Sequence, residues 1–149
     1  LGYVDTGIYA WDHHWGIFPH LDKQLPIYDN SYSALLNDLD DRGLLDTTLV
    51  ITAGEFGRTP GFNKDKRGPG RDHWSRCFSL TLGGGGVQTG RVIGASDNYG
   101  AVPTDRPVSI ADFAATVYHA LGLDPKAEYL AQGRPMRVLP EGSIVKELF

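Results

Sequence analysis

The chain has 149 residues, 41% of them apolar, and a formal net charge of -4. That is enough for one domain with its own core, and without a basic run of five or more it lacks the electrostatic footprint of a nucleic-acid binder. A single cysteine, Cys77, excludes an internal disulfide and a cysteine-based zinc site, and no stretch of about 18 apolar residues offers a membrane span.

Residues 1–10 read as a strand end running into a loop, and an opening at Leu1 rather than Met means that residue 1 need not be the natural start. A helix is predicted from about Pro19 to Asp41. Leu21, Leu25, Tyr28, Tyr32, Leu35, Leu36 and Leu39 recur at three- and four-residue steps and so share a face. Pro26 should kink or break it, which places the well-formed part from Pro26 onward, with Gly43 as the C-cap glycine. "TTLVITAG" (47–54) is a continuous apolar run of strand length, the mark of a strand covered on both faces, as in a parallel sheet. "GRTPGFNKDKRGPGRD" (57–72) is a long loop of the kind that often carries function. "CFSLTL" reads as a second buried strand, with Cys77 as a small buried hydrophobe. "GGGG" (83–86) is a plain turn, since it lacks the Lys-Ser/Thr of a nucleotide loop. "SIADFAATVYHALG" is a helix capped by Ser109 and stopped by Gly122, with Ile110, Phe113, Ala114, Val117, Tyr118 and Leu121 facing inward. The tail "SIVKELF" is a short helix or strand. This order is an α/β pattern within a single domain, 1–149, with one face of its sheet left to be completed.

The candidate chemistry lies in two distant copies of Asp-His-Trp-type sequence, "YAWDHHW" and "GRDHWSR". Imidazole and carboxylate are common ligands for zinc, manganese or iron. Asp12 and His14 are two apart, so an extended backbone points both to one side and His13 to the other. His73 follows a glycine-rich loop that allows close backbone approach. These three residues are the candidate metal ligands, with Trp11, Trp15 and Trp74 as a dry wall around them; separate histidines that only hydrogen-bond carboxylates are the alternative, since no spacing here is diagnostic of a metal site. His20 and His119 are expected to be structural. Glu55 and Arg58 follow directly on the 47–54 strand, where open α/β sheets bind ligands. Glu55 can bind metal or act as a base, and Arg58 can fork an anionic oxygen. A Glu55–Arg58 ion pair that merely ties the loop is an equal alternative. No Gly-x-Ser-x-Gly elbow supports a serine hydrolase.

The blocks "YAWDHHW", "LPIYDNSYSALLNDLDDRGLLDTTLVITAGEFGRTP", "GRDHWSRCFSLTLGGGGVQTGRVIGASD", "DRPVSIADFAATVYHALGLDP" and "QGRPMRVL" resemble the C-terminal portion of DUF1501 proteins, a bacterial family. That family is related in turn to the alkaline phosphatase and sulfatase superfamily. Asp29, the Gly43-Leu44 turn, Asp46-Thr47-Thr48 and "LVITAGEFG" are similar to the sulfatase passage from helix to strand. The resemblance implies an alkaline phosphatase-like fold: a mixed, mostly parallel sheet between helices, with two divalent metals at the carboxyl ends of strands. It implies hydrolysis or transfer of phosphate or sulfate esters.

Carried over by position, Asp12, His14 and His73 would hold one divalent ion (zinc, manganese or calcium). Glu55 would serve a second ion or act as a base, while Arg58 and Arg71 would neutralise a small anionic ester substrate. Phe56 stands where the superfamily has a ligand histidine, which weakens the second site. The nucleophile and the first metal aspartate of the superfamily belong to an N-terminal half absent from this chain. A periplasmic or extracellular location is implied only by the family's twin-arginine export signals. The alternative is a non-catalytic secreted binding or structural protein that keeps the fold.

Overall fold

The computed structural model describes residues 11–149, so the expected strand end at 1–10 lies outside the described residues. Helix α1 spans Ile17–Asp41. It starts earlier than the sequence suggests and runs through Pro26. Pro26 and Asp22, whose carbonyl loses its N–H partner, are both exposed, so water can satisfy that carbonyl. The far end is a Schellman motif: Gly43 (φ 64°) donates to the Asp40 carbonyl at 2.8 Å, and Leu44 donates to the Leu39 carbonyl at 2.8 Å. Leu21, Tyr28, Tyr32, Leu36 and Leu39 are half-buried as the periodicity requires, whereas Leu25 and Leu35 are exposed and Gln24 takes a buried place on that face.

After a 3-10 turn at Leu45–Thr47 come the strands β1 (Val50–Thr52), β2 (Gly57–Arg58), β3 (His73–Trp74) and β4 (Thr81–Gly83). Next are β5 (Ala95–Ser96) and β6 (Pro103–Asp105), helix α2 (Ile110–Ala120), the hairpin β7 (Glu128–Ala131) and β8 (Arg134–Arg137), and a 3-10 turn at Lys146–Leu148. The strands form four two-stranded antiparallel sheets, β1 with β4, β2 with β3, β5 with β6 and β7 with β8. The pairing made by the 47–54 run is thus antiparallel to the second apolar run (Val50 opposite Gly83), and Ile51 remains exposed. Tyr28 on α1 donates its hydroxyl to Thr52 Oγ1 at 3.3 Å and ties the helix to β1.

Helix α2 is capped at Ser109 as expected, and the cap is a capping box. The Ser109 hydroxyl accepts from the Asp112 amide, and the Asp112 carboxylate accepts from the Ser109 amide. Its buried face differs from the expected one: Ala115 and Thr116 are inside, while Ile110 and Leu121 are exposed. The tail decides this, because Val145 packs there and donates its amide to Thr116 Oγ1 at 3.0 Å. Among the described residues Ala115, Val145 and Pro125 are the buried apolar side chains, and Cys77 is half-buried rather than buried. No helix of the described residues is long and apolar enough to cross a membrane.

Candidate metal centre

The two histidine-bearing segments meet because the long loop is folded back on itself and stitched to residues 13–17. Inside the loop, Thr59 donates to the Asp72 carbonyl (2.8 Å) and Asn63 to the Gly70 carbonyl (2.9 Å). Across to the first segment, Arg71 donates to the His13 carbonyl (3.0 Å), Ile17 to the Pro69 carbonyl (3.0 Å), and the Asn63 amide group to the His14 carbonyl (2.7 Å). Gly70 makes the approach possible. A Cβ there would lie 2.1 Å from the His14 carbonyl carbon and 2.3 Å from the Trp15 nitrogen, inside any tolerable contact.

This stitching brings Asp12, His14 and His73 together. His73 Nε2 lies 2.9 Å from Asp12 Oδ1, His14 Nε2 lies 3.1 Å from the same oxygen, and the two Nε2 atoms are 3.2 Å apart. The alternation rule separates the neighbouring imidazoles as expected. His13 turns away and bonds buried Gln24 (Nε2 to Oε1, 2.6 Å), stacked on His20 with ring centroids 4.9 Å apart. His119 sits against Phe149. Both His20 and His119 lie outside the cluster.

Asp72 was not singled out by the sequence. Its Oδ1 receives His14 Nδ1 at 2.6 Å and is braced by Asn63 Nδ2 at 3.2 Å. An ionised carboxylate only accepts, so the proton of His14 is assigned to Nδ1 and the lone pair to Nε2, facing the cluster. That lone pair and the Asp12 oxygen then face each other at 3.1 Å, an arrangement that a cation between them relieves. The carboxyl of Asp72 is held below its ordinary range, first by the His14 hydrogen bond. For Asp12, burial pushes the pKa up. Hydrogen bonds from Arg58 and His73 and the charge of Arg58 outweigh it and hold the group at about 2. Asp12 is therefore ionised at any physiological pH.

Arg58 points at the cluster, where its Nη1 donates to Asp12 Oδ1. It is the direct cross-strand partner of His73 in the β2–β3 pair, which places both side chains on one face. Glu55 is exposed and lies outside the cluster, and the guanidinium of Arg58 goes to Asp12 instead of to it. Arg71 is not turned toward the cluster either. Its guanidinium donates to the Thr59 and Pro60 carbonyls (2.6 and 2.9 Å) and covers the Phe62 ring at 4.3 Å, so it braces the loop.

The tryptophan wall does not form. Trp11 packs on Tyr28, Trp15 on Arg67 and His20, and Trp74 donates to the Ala101 carbonyl. The aromatic neighbour of the cluster is Phe56, whose ring lies 4.3 Å from that of His73. The cluster is open to solvent, the side chains of Asp12, His14 and His73 being 47%, 39% and 46% exposed.

Asp12, His14 and His73 thus form an open group of one carboxylate and two imidazoles that could hold one metal ion, with Asp72 behind one of the imidazoles. The chain matches, over residues 1–149, the family described as Protein of unknown function (DUF1501), and it belongs to that family. No curated protein and no solved structure matches it.

Proposed function

We propose that the chain carries the metal-binding part of a hydrolase related to the alkaline phosphatase and sulfatase superfamily, acting on phosphate or sulfate esters. One observation carries the reading: the ligand triangle with edges of 2.9, 3.1 and 3.2 Å. Metal–ligand bonds of roughly 2.0 Å in a tetrahedron give edges of about 3.3 Å, so the three atoms already stand near the spacing of one tetrahedral face. Three protein ligands and an open fourth direction are the pattern of a catalytic rather than a structural zinc site. The donor set, two nitrogens and one oxygen, favours zinc or manganese over calcium, which takes oxygen ligands.

In this reading Asp12, His14 and His73 hold the ion, and Asp72 orients His14. A bound divalent ion would supply Lewis-acid stabilisation of charge on an ester oxygen. Arg58, beside the same carboxylate, is placed to receive a second anionic oxygen. Glu55 remains a candidate only for a second ion or as a base. The resemblance puts the nucleophile in an N-terminal half, so turnover is proposed for these residues together with that half, in the mostly parallel sheet of the superfamily. The test is metal content and metal-dependent hydrolysis of a panel of phosphate and sulfate esters by protein that includes the N-terminal half. Loss of both in His73→Ala is expected; unchanged metal content in that variant would remove the proposal.

A second reading, a binding protein that keeps the fold without turnover, is favoured by Phe56. Its ring packs against His73 at the position where the superfamily has another ligand. Metal binding without hydrolysis of any ester in the panel would support it.

A further inference from the structure

One oxygen is claimed twice. Asp12 Oδ1 is the carboxylate corner of the ligand triangle, and the same atom accepts from Arg58 Nη1. A carboxylate oxygen has two lone-pair directions; an ion held by the triangle takes one of them, in place of the His73 contact that now stands at 2.9 Å. A divalent ion and the guanidinium then share one carboxylate oxygen, and as two cations they repel each other there. Among the described residues Arg58 has no acceptor other than Asp12, with the Phe56 ring 6.0 Å from its guanidinium carbon. The β2–β3 pairing to His73 is made by the backbone, so loss of the Asp12 contact leaves Arg58 beside the site.

Resting on the metal reading above, we propose that Arg58 is a built-in counter-cation. It holds Asp12 while the metal is absent and is released to bind an anionic oxygen when the metal enters. The two functions of the site are then coupled. An ion that binds alone meets the opposing charge of Arg58, whereas a sulfate- or phosphate-type anion that engages Arg58 neutralises the competitor. By linkage, anion and cation each raise the affinity for the other. The device favours loading metal and anionic ligand together and disfavours capture of metal alone.

The sign of one substitution separates this from a supporting role. If Arg58 merely held Asp12 in place, its loss would weaken metal binding. As a competitor, its loss tightens it. The experiment is calorimetric titration of zinc into the chain and into Arg58→Gln, with and without inorganic sulfate. Without sulfate, Arg58→Gln should bind zinc about two- to fivefold more tightly, the range expected for a part-exposed ion pair. Sulfate should tighten zinc binding to the wild-type chain and have a smaller effect on the variant. Arg58→Lys, which keeps a charge and an aliphatic stem, should fall between the two and guards against misfolding of the glutamine variant. Zinc binding in Arg58→Gln equal to or weaker than wild type overturns the proposal and leaves the metal reading standing. No zinc binding by either protein overturns both.

Discussion

Asp12 and Asp112 each have three groups around the carboxylate, and the groups are of opposite kinds. Asp112 receives the Ser109 hydroxyl (2.7 Å), the Ser109 amide (3.1 Å) and the Ser143 amide (2.7 Å). Two of those donors are backbone and the third belongs to the residue before the helix, so the carboxylate can release them only by unmaking the cap and freeing the tail. Asp12 is met by the tips of three side chains, Arg58, His14 and His73, from three separate segments. Those tips can move by side-chain rotation while the backbone stays put. Both carboxyls are held below their ordinary range, so a lowered pKa alone does not tell a structural aspartate from a candidate ligand. The identity of the donors does: backbone amides mark a fastening, and imidazole nitrogens with a spare lone pair mark a place for a cation.

Five substitutions break or sharpen that contrast. The largest effect is expected from Gly70→Ala, because the added methyl meets backbone atoms of His14 and Trp15 rather than a flexible side chain. We expect a loss of about 3 kcal/mol in chemical denaturation, together with loss of metal binding, since the two segments can no longer meet. Asp112→Ala comes next. Removing a capping box costs about 1–2 kcal/mol, and the freed Ser143 amide adds to it. The denaturation midpoint should fall while zinc affinity stays at the wild-type value. A matching fall in zinc affinity would show that the two regions are not independent.

Much of this contrast was legible in the sequence, and the illegible part has a common cause. The choice of His14 over His13 follows from side-chain alternation, the Ser109 cap from a serine placed just before the periodic apolar run, and the Gly43 stop from glycine's access to positive φ. Each depends on residues within a few positions of one another. The meeting of His14 with His73, 59 residues apart, rested on the repeated Asp-His-Trp and on the flexibility of a glycine-rich loop. What the sequence did not show was which partner each charged group takes once the loop has folded. Asp72 stands beside His73 in the repeat yet serves His14. Arg58 is three residues from Glu55 yet serves Asp12. Arg71, adjacent to Asp72, is consumed by the loop's own carbonyls. The same holds for the tryptophans, whose directions are set by Tyr28, Arg67 and Ala101. Pro26 misled for another reason: its local penalty is real, but on an exposed face water meets the carbonyl it strands.

Asp72→Ala separates orientation from ligation. Asp72 touches no candidate ion position; it fixes the His14 ring through Nδ1. Loss of such a partner typically lowers metal affinity about 10–100-fold, and stability should change little because the residue is exposed. Nitrogen NMR of metal-free protein gives a second readout. His14 should be protonated at Nδ1 in the wild type, and that preference should relax in Asp72→Ala. A His14 ring already protonated mainly at Nε2 in the wild type would remove Asp72 from the site.

The smallest effect concerns acid, and its sign follows from Asp12. Its carboxyl is lowered from 3.8 to about 2 in the folded chain. A depressed folded-state value means that the contribution to stability is fully present above pH 3.8 and is lost as pH falls toward 2. Because Asp12 is half-exposed, solvent screening keeps that contribution small. Asp12→Asn should therefore flatten the acid limb of the stability curve below pH 4 only slightly. The same variant should lose zinc binding at neutral pH, where Asp12 is ionised. Asp112→Asn should flatten the acid limb too, with zinc binding intact. A wild-type acid limb in Asp12→Asn would mean that Arg58 and His73 do not favour the ionised carboxylate in the folded chain. The structural contrast with Asp112 would then lose its electrostatic basis.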